Sequence, residues 1–260
     1  MPELRAPASS YCLNPACPEP QNPQDAQTCG ACGNSLRLRD RYRTTALLGQ
    51  GGFGATFLAL DLSLPGQPRC ALKQLRPGKT GSAKDLDVAR KLFAREAETL
   101  GTIGSYPQIP RLLDYFEIDG HFYLVQEYIE GQTLAQEIKQ NGPLSEADLR
   151  QFLLAILPCI DYIHTHRVIH RDIKPQNIIR RRTDRQLVLI DFGAVRYAIS
   201  QFDTATQNGP LTESAVWTPG YSSPEQMALR PVYASDIYSL GMTALYMLSG
   251  KVPQEILTDP

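Results

Sequence analysis

Three glycines in the stretch GQGGFG, Gly49, Gly51 and Gly54, leave backbone N–H groups unobstructed, so that phosphate oxygens can approach them closely. The residues that follow, ATFLALDL, alternate like a strand instead of opening a helix, which makes the glycines the cap of a hairpin. A merely tight hairpin is the alternative. In Cys70 to Leu75 a period of two sets Lys73 on the face of Ala71 and Leu75, an ammonium among apolar neighbours. At helical spacing Glu96 falls in the middle of a stripe of Ala89, Leu92, Phe93 and Leu100, whereas Glu98 points the opposite way. Both charges need partners. Pairing Lys73 with Glu96 leaves the ammonium aimed at phosphates under the glycine hairpin; a snorkelling lysine and an edge-of-face glutamate are the bland alternatives.

A second constellation lies nearer the start. Cys12 and Cys17 are separated by four residues, Cys29 and Cys32 form CxxC with Gly33 behind, and eleven residues part the two pairs. Two close cysteine pairs across a short loop fit a closed four-thiolate zinc site, with a redox-active disulfide pair, an iron–sulfur role or an inert role as the alternatives. Cys70 and Cys159 fall on apolar elements and read as small core residues.

The third constellation is HRDIKPQN, His170 to Asn177, followed fourteen residues later by Asp191-Phe192-Gly193. With the glycine hairpin, Lys73, Glu96 and Ser223-Pro224-Glu225 it forms an ordered set, and from about Tyr42 to Gly250 the chain resembles the eukaryotic-type protein kinases. The resemblance implies an α+β, two-lobed fold, with a small β-rich lobe, a larger helical lobe and a zinc-ribbon-like segment in front. It implies ATP-dependent phosphoryl transfer to serine and threonine hydroxyls of protein substrates, with magnesium or manganese. Asp172 would accept the proton of the attacking hydroxyl, and Lys174 would neutralise charge on the transferring group. Asn177 and Asp191 would hold the metal, since hard cations prefer oxygen ligands. Gly49, Gln50, Gly51, Gly52, Phe53, Gly54, Thr56, Ala71 and Lys73 would line the nucleotide. The backbone of Glu127 and Ile129 would meet the purine edge, with Gln126 at the gatekeeper place. Gln126 is polar where many relatives are apolar, and Thr56 stands where valine is usual. Thr204, Thr206, Thr212 and Ser214 are candidates for activation-loop phosphorylation, with Arg171 and Arg196 as clamps. Thr218 resembles the substrate-side threonine, and Asp236 the aspartate that braces the HRD loop. A non-catalytic ATP-binding scaffold, signalling through the cysteine-rich head, is the competing class. The four-cysteine head itself resembles one found before the kinase domain in a subgroup of cyanobacterial Ser/Thr kinases, where it would mediate regulation or contact with a regulatory protein.

These residues need elements to hold them. Thr44 to Leu62, Cys70 to Leu75 and His121 to Tyr128 read as strands; Asp85 to Leu100 and Glu146 to His166 read as amphipathic helices. Ser235 to Leu248 is apolar nearly all round, which predicts a buried helix. Strands first and helices later suggest a sheet lobe followed by a helical lobe. The divisions expected are 1–33 for the cysteine-rich segment, 34–41 for a linker and 42–260 for the kinase domain. Within that domain, 42–128 would be the small lobe and 129–260 the helical one.

Composition narrows the function classes. Among 260 residues, 26 Lys+Arg oppose 27 Asp+Glu, so no global field favours nucleic acid or an anionic membrane. Arg37, Arg39, Arg41 and Arg43, and the cluster Arg180 to Arg182, read as solvated faces of a linker and a hairpin turn. The longest strongly apolar stretch, Ile237 to Gly250, is shorter than the roughly 20 residues of a membrane span, and MPELRAPASS has no apolar run behind it. The expected setting is a reducing cytoplasm. Six of the 20 prolines fall in the first 23 residues, a segment that would need a metal or disulfide staple to fold. The family's domain usually continues beyond the helix at Ser235 to Leu248, so the chain is expected to be a fragment of a longer kinase and marginally stable.

Overall fold

The computed structural model of the chain describes residues 9–51, 54–75, 83–118, 120–192, 196–197 and 218–258. Gly52, Phe53, Thr204, Thr206, Thr212 and Ser214 lie outside the described residues, as does the side chain of Arg196. The chain divides into two compact units, one formed by Met1–Phe93 with Leu112–Tyr128, the other by Ala94–Arg111 with Ile129–Pro260.

The first unit is built on a six-stranded antiparallel sheet, in the order β3 (Arg37–Leu38), β4 (Tyr42–Gly51), β5 (Gly54–Asp61), β6 (Arg69–Leu75), β8 (His121–Glu127) and β7 (Leu112–Ile118). Period-two alternation gives its faces opposite tasks. Tyr42, Ala55, Phe57, Cys70, Leu72, Tyr123 and Val125 form a core on one face. Lys73, Ala71 and Thr56 alternate onto the other, with Thr56 opposite Lys73 and Ala71 opposite Gln126 in the register.

The cysteine-bearing segment covers the apolar face. Its hairpin of β1 (Ser9–Tyr11) and β2 (Gln21–Pro23) brings Tyr11 and Leu13 against the core, with the Tyr11 ring 5.7 Å from that of Phe57. The Thr44 hydroxyl donates to the Tyr11 carbonyl, and the Arg43 guanidinium donates to that of Gln24 at 2.6 Å. Residues 34–41, read from sequence as a linker, contain β3, which pairs with β4 through Arg37–Arg43 and Leu38–Tyr42. The three-residue turn between them, 39–41, places Arg39 and Asp40 at φ 53° and 54°, both in the left-handed region, and the Arg41 N–H donates to the Leu38 carbonyl at 3.1 Å. Arg41 then chelates Asp61 through Nε at 3.0 Å and Nη2 at 2.8 Å. Arg41 and Arg43 are therefore bound to the fold and not part of a solvated stripe.

In the second unit, α3 (Glu146–Thr165) starts at an N-cap, Ser145, whose hydroxyl accepts from the Asp148 N–H, and buries Phe152, Ile156, Cys159, Ile160 and Ile163. It packs against α5 (Tyr233–Ser249), which ends on Gly250 at φ 70°. Among the described residues only one side of α5 is covered, by way of Leu240, Met242, Thr243 and Met247. Ile237, Tyr238, Leu245 and Leu248 are exposed, a departure from the all-round burial that composition predicts. Small sheets complete the unit: β9 (Gly131–Thr133), β11 (Ile178–Arg181) and β12 (Leu187–Leu189) form one, and β10 (Val168–Ile169) pairs with β13 (Arg196–Tyr197). Thr133 and Gln136 close a capping box on α2 (Leu134–Asn141). Arg180, Arg181 and Arg182 are each held by a carboxylate, of Glu137, Asp184 and Glu130 respectively.

Helix α1 (Ala83–Ile103) contains the boundary between the units. Within it Glu96 is 3 % exposed, whereas Glu98 faces solvent, in keeping with their positions on the helical stripe.

Candidate functional site

Lys174 and Asn177 from the loop after β10, together with Thr218, gather around the carboxylate of Asp172. Lys174 Nζ lies 2.9 Å from Asp172 Oδ1 and 2.8 Å from Oδ2. The Thr218 hydroxyl donates to Asp172 Oδ1 at 2.6 Å and accepts from Lys174 Nζ at 3.0 Å. Asn177 Nδ2 donates at 2.8 Å both to Asp172 Oδ2 and to the Asp172 carbonyl. Those bonds use the amide nitrogen of Asn177, which leaves its oxygen as the end suited to a cation. Asp172 is thus an oriented carboxylate with an ammonium beside it. A hydroxyl placed there could lose its proton, and an anionic group could be neutralised by the lysine.

Loop geometry comes from underneath. Asp236, fully buried in the first turn of α5, accepts from the His170 N–H at 2.9 Å and the Arg171 N–H at 2.8 Å. Its Oδ2 also lies 2.8 Å from His164 Nε2, which must donate because the carboxylate can only accept. Arg171 sits at φ 70°, and its carbonyl accepts from Gln226 Nε2 at 2.6 Å. A non-glycine residue in the left-handed region is strained, and these bonds hold it there. The buried ring of His170 accepts the Asp172 N–H at Nδ1 and donates from Nε2 to the Ile190 carbonyl. Burial pushes its pKa below the ordinary histidine value, so the ring is the neutral tautomer those two bonds require. Phe192 packs edge-on to it at 4.7 Å, and Asp191 occupies the left-handed region at φ 67°.

Glu225 belongs to α4 (Pro224–Met227), capped by Ser223. The Ser235 hydroxyl donates to Glu225 Oε1 at 2.7 Å and, with that of Ser223, holds the carboxyl below its usual range. His164, Gln226 and Ser235 carry no motif signal. Their partners lie 72, 55 and 10 residues away, and only the fold brings them together.

In the first unit, Gly49, Gln50 and Gly51 close β4, with Gly54 opening β5 opposite Gly51. A Cβ on Gly54 would stand 2.4 Å from the Gln74 carbonyl oxygen, so the backbone approach there excludes any side chain. Gln126 is buried within β8, which ends at Glu127. Ile129 is buried and belongs to the second unit.

The cysteine cluster is separate from these groups. The four sulfurs of Cys12, Cys17, Cys29 and Cys32 lie within 4.8 Å of one another, with Cys12–Cys32 and Cys17–Cys29 each at 3.6 Å. Those separations are too long for a disulfide and close to the ~3.8 Å edge of a tetrahedron with Zn–S bonds of ~2.3 Å. Burial would raise the Cys29 thiol, but the backbone N–H groups of Cys32 and Ala31 and the Asn22 amide outweigh it and bring it down to about 6. Backbone donation from Asn34 lowers Cys32, while burial raises Cys12 and Cys17. Asn22 also receives the Gly30 N–H on its oxygen at 2.9 Å, fixing the second knuckle. The donor set fits a closed four-thiolate zinc site.

The protein kinase domain family matches residues 42–258. Serine/threonine-protein kinase B of Synechocystis sp. is 59 % identical over 95 % of this chain and 43 % of its own length. Serine/threonine-protein kinase PknA of Nostoc sp. is 49 % identical over 86 % of the chain and 39 % of its length. Serine/threonine-protein kinase PrkC of Bacillus subtilis is 34 % identical over 84 % and 32 % respectively. The chain therefore spans about two fifths of the length of the cyanobacterial relatives. None of its described helices is long and apolar enough to cross a membrane. With Lys174, Asn177 and Thr218 ordered around Asp172, a match over most of the chain places it in the protein kinase domain family.

Proposed function

We propose that the chain is a catalytically competent serine/threonine kinase domain that transfers the γ-phosphate of ATP to hydroxyls of protein substrates. The observation that carries this reading is the four-residue cluster of Asp172, Lys174, Asn177 and Thr218. Asp172 accepts the proton of the attacking hydroxyl, Lys174 offsets charge on the transferring group, and Thr218 holds both at the substrate side. Asn177 and Asp191 hold magnesium or manganese, which when bound supplies positive charge to offset that of the phosphates. Gly49 to Gly54, Thr56 and Ala71 shape the phosphate and purine surface, with Gln126, Glu127 and Ile129 at the purine edge. Lys73 binds the phosphates, and Glu96, buried on α1, is assigned with it to the catalytic set. Arg171 and Arg196 would clamp phosphate on Thr204, Thr206, Thr212 or Ser214.

Cys12, Cys17, Cys29 and Cys32 hold structural zinc, and the surface they shape is where a regulatory protein would dock. On the domain level, residues 1–33 form the metal-bearing segment and 42–260 the kinase domain. The segment's packing on the apolar face of the sheet supports counting it as part of the small lobe.

Transfer of labelled phosphate from ATP to the chain itself and to a generic basic protein tests the reading. Asp172→Asn should lower kcat by about two to four orders of magnitude, the usual worth of a general base. Turnover near that of the unaltered chain would remove the assignment. Zinc content measured on the same sample should be one per chain.

A further inference from the structure

Between the cysteine loops and the outer part of the sheet lies a cleft of about 290 Å³. None of the residues assigned to phosphoryl transfer lines it, and all of its walls belong to the first unit. Leu13, Asn14 and Pro15, between Cys12 and Cys17, form one wall; Asn34 and Ser35, just after Cys32, extend it. The opposite wall is Ile118 and His121 at the β7–β8 turn, and the floor is the buried pair Gln74 and Tyr123, hydrogen-bonded at 3.3 Å. Arg37, Leu38 and Arg39 close the remaining side.

The charge of this lining is one-sided. It contains two arginines and a histidine, and no aspartate or glutamate. Arg39 reaches Asp114 at 3.6 Å while lying over the Phe116 ring. Arg37 makes no ion pair among the described residues, and its Nε is buried without a hydrogen-bond partner. Across the β3–β4 ladder Arg37 stands directly opposite Arg43, whose Nε is likewise buried and unbonded. Like charges placed opposite one another destabilise a strand pair, and a buried donor left unbonded costs free energy. An anion in the cleft would offset the charge of Arg37 and give its Nε a partner, whereas Arg43 does not line the cleft. Its size is at the lower end of small-ligand pockets and too short for an extended peptide. Leu13, Leu38 and Ile118 supply an apolar side against the cationic one.

We propose that this cleft binds a small phosphomonoester, its phosphoryl group held by Arg37, Arg39 and His121 and its apolar body lying against Leu13, Leu38 and Ile118. A forked guanidinium suits a phosphoryl group, whose dianion can satisfy several donors together where a carboxylate has only two oxygens. Because one wall is built from both cysteine loops, whatever fixes those loops also shapes the site. The proposal is independent of the catalytic reading.

Isothermal titration calorimetry of the zinc-replete full chain, saturated with magnesium and a non-hydrolysable ATP analogue, tests it with phenyl phosphate, inorganic phosphate and benzoate as probes. Phenyl phosphate should bind, more tightly than either other probe, and Arg37→Gln should weaken it by about tenfold or more. His121→Gln should weaken it in the same direction, which keeps the test decisive if Arg37→Gln fails to fold. Zinc content and far-ultraviolet circular dichroism identify a folding failure. No heat from phenyl phosphate, equal or tighter binding of benzoate, or binding unchanged in both variants would each overturn the proposal. So would binding of phenyl phosphate seen in the absence of the ATP analogue and lost when the analogue is present.

Discussion

Asp236 is fully buried, yet three donors converge on its two oxygens, and two of them are the backbone N–H groups of His170 and Arg171. Replacing it with asparagine would turn an NH₂ group toward one of those donors while removing the charge that makes the bonds strong. Asp236→Asn should therefore cost about 1–3 kcal/mol of stability and, by loosening the Asp172 loop, lower kcat more than it raises KM for ATP. Steady-state kinetics beside a denaturant titration checks this; unaltered kcat would mean the brace does not position the base. Ser235→Ala removes the hydroxyl from Glu225, whose carboxyl should then titrate closer to its usual range, as carboxyl NMR would register. Residue-scale legibility followed sequence distance. Asp172, Lys174 and Asn177 stand within a few positions of one another, and Lys73 and Glu96 betray themselves as charges on apolar stripes. His164, Gln226 and Ser235 are ordinary polar residues whose significance lies in partners supplied by the fold.

The element that sequence could least disclose is the hairpin of β3 and β4. Its turn uses Arg39 and Asp40 at positive φ where Asn-Gly is the usual signal, and its first strand has only two residues, so 34–41 reads as a linker. Longer elements were legible because their periods were: α1, α3 and α5 follow the helical spacing, and β6 and β8 the alternating one. The exposed side of α5 was not, because an apolar composition does not say which faces are covered. At this scale the cysteine segment and the sheet support one another through Tyr11, Thr44 and Arg43. Thr44→Val keeps the shape and removes the hydroxyl donor from a fully buried place, leaving the Tyr11 carbonyl to find another partner. It should lower stability by about 1 kcal/mol with zinc still bound. Chelation of the metal should do more, since binding energy at such a site is folding energy. Hydrogen exchange should then quicken in residues 9–38 and in β4 to β6, and be unchanged in α3 and α5. Equal quickening in both units, or none, would contradict the coupling of metal to sheet.

For the molecule as a whole, the two compact units carry their acid sensitivity in different groups. Asp61, chelated by the Arg41 guanidinium, has its pKa brought down to about 2 in the first unit. A carboxylate with a depressed folded pKa stabilises the fold above its unfolded value, and that contribution drains away as pH falls from about 4 toward 2. His170, in the second unit, is depressed by burial. The unfolded histidine takes up a proton near its ordinary 6.5 while the folded ring does not, so protons favour unfolding and stability declines as pH falls through that value. With zinc held in place, the His170 contribution should therefore be lost first on acidification and the Asp61 contribution only in stronger acid. Denaturant titrations at stepped pH, read by hydrogen exchange of peptides from β4 to β6 and from α3 and α5, separate the stages. His170→Gln should flatten the decline near pH 6.5, and Asp61→Asn the one below pH 4. Simultaneous loss of protection in both units across the whole range would show that their acid responses are not set by these two groups.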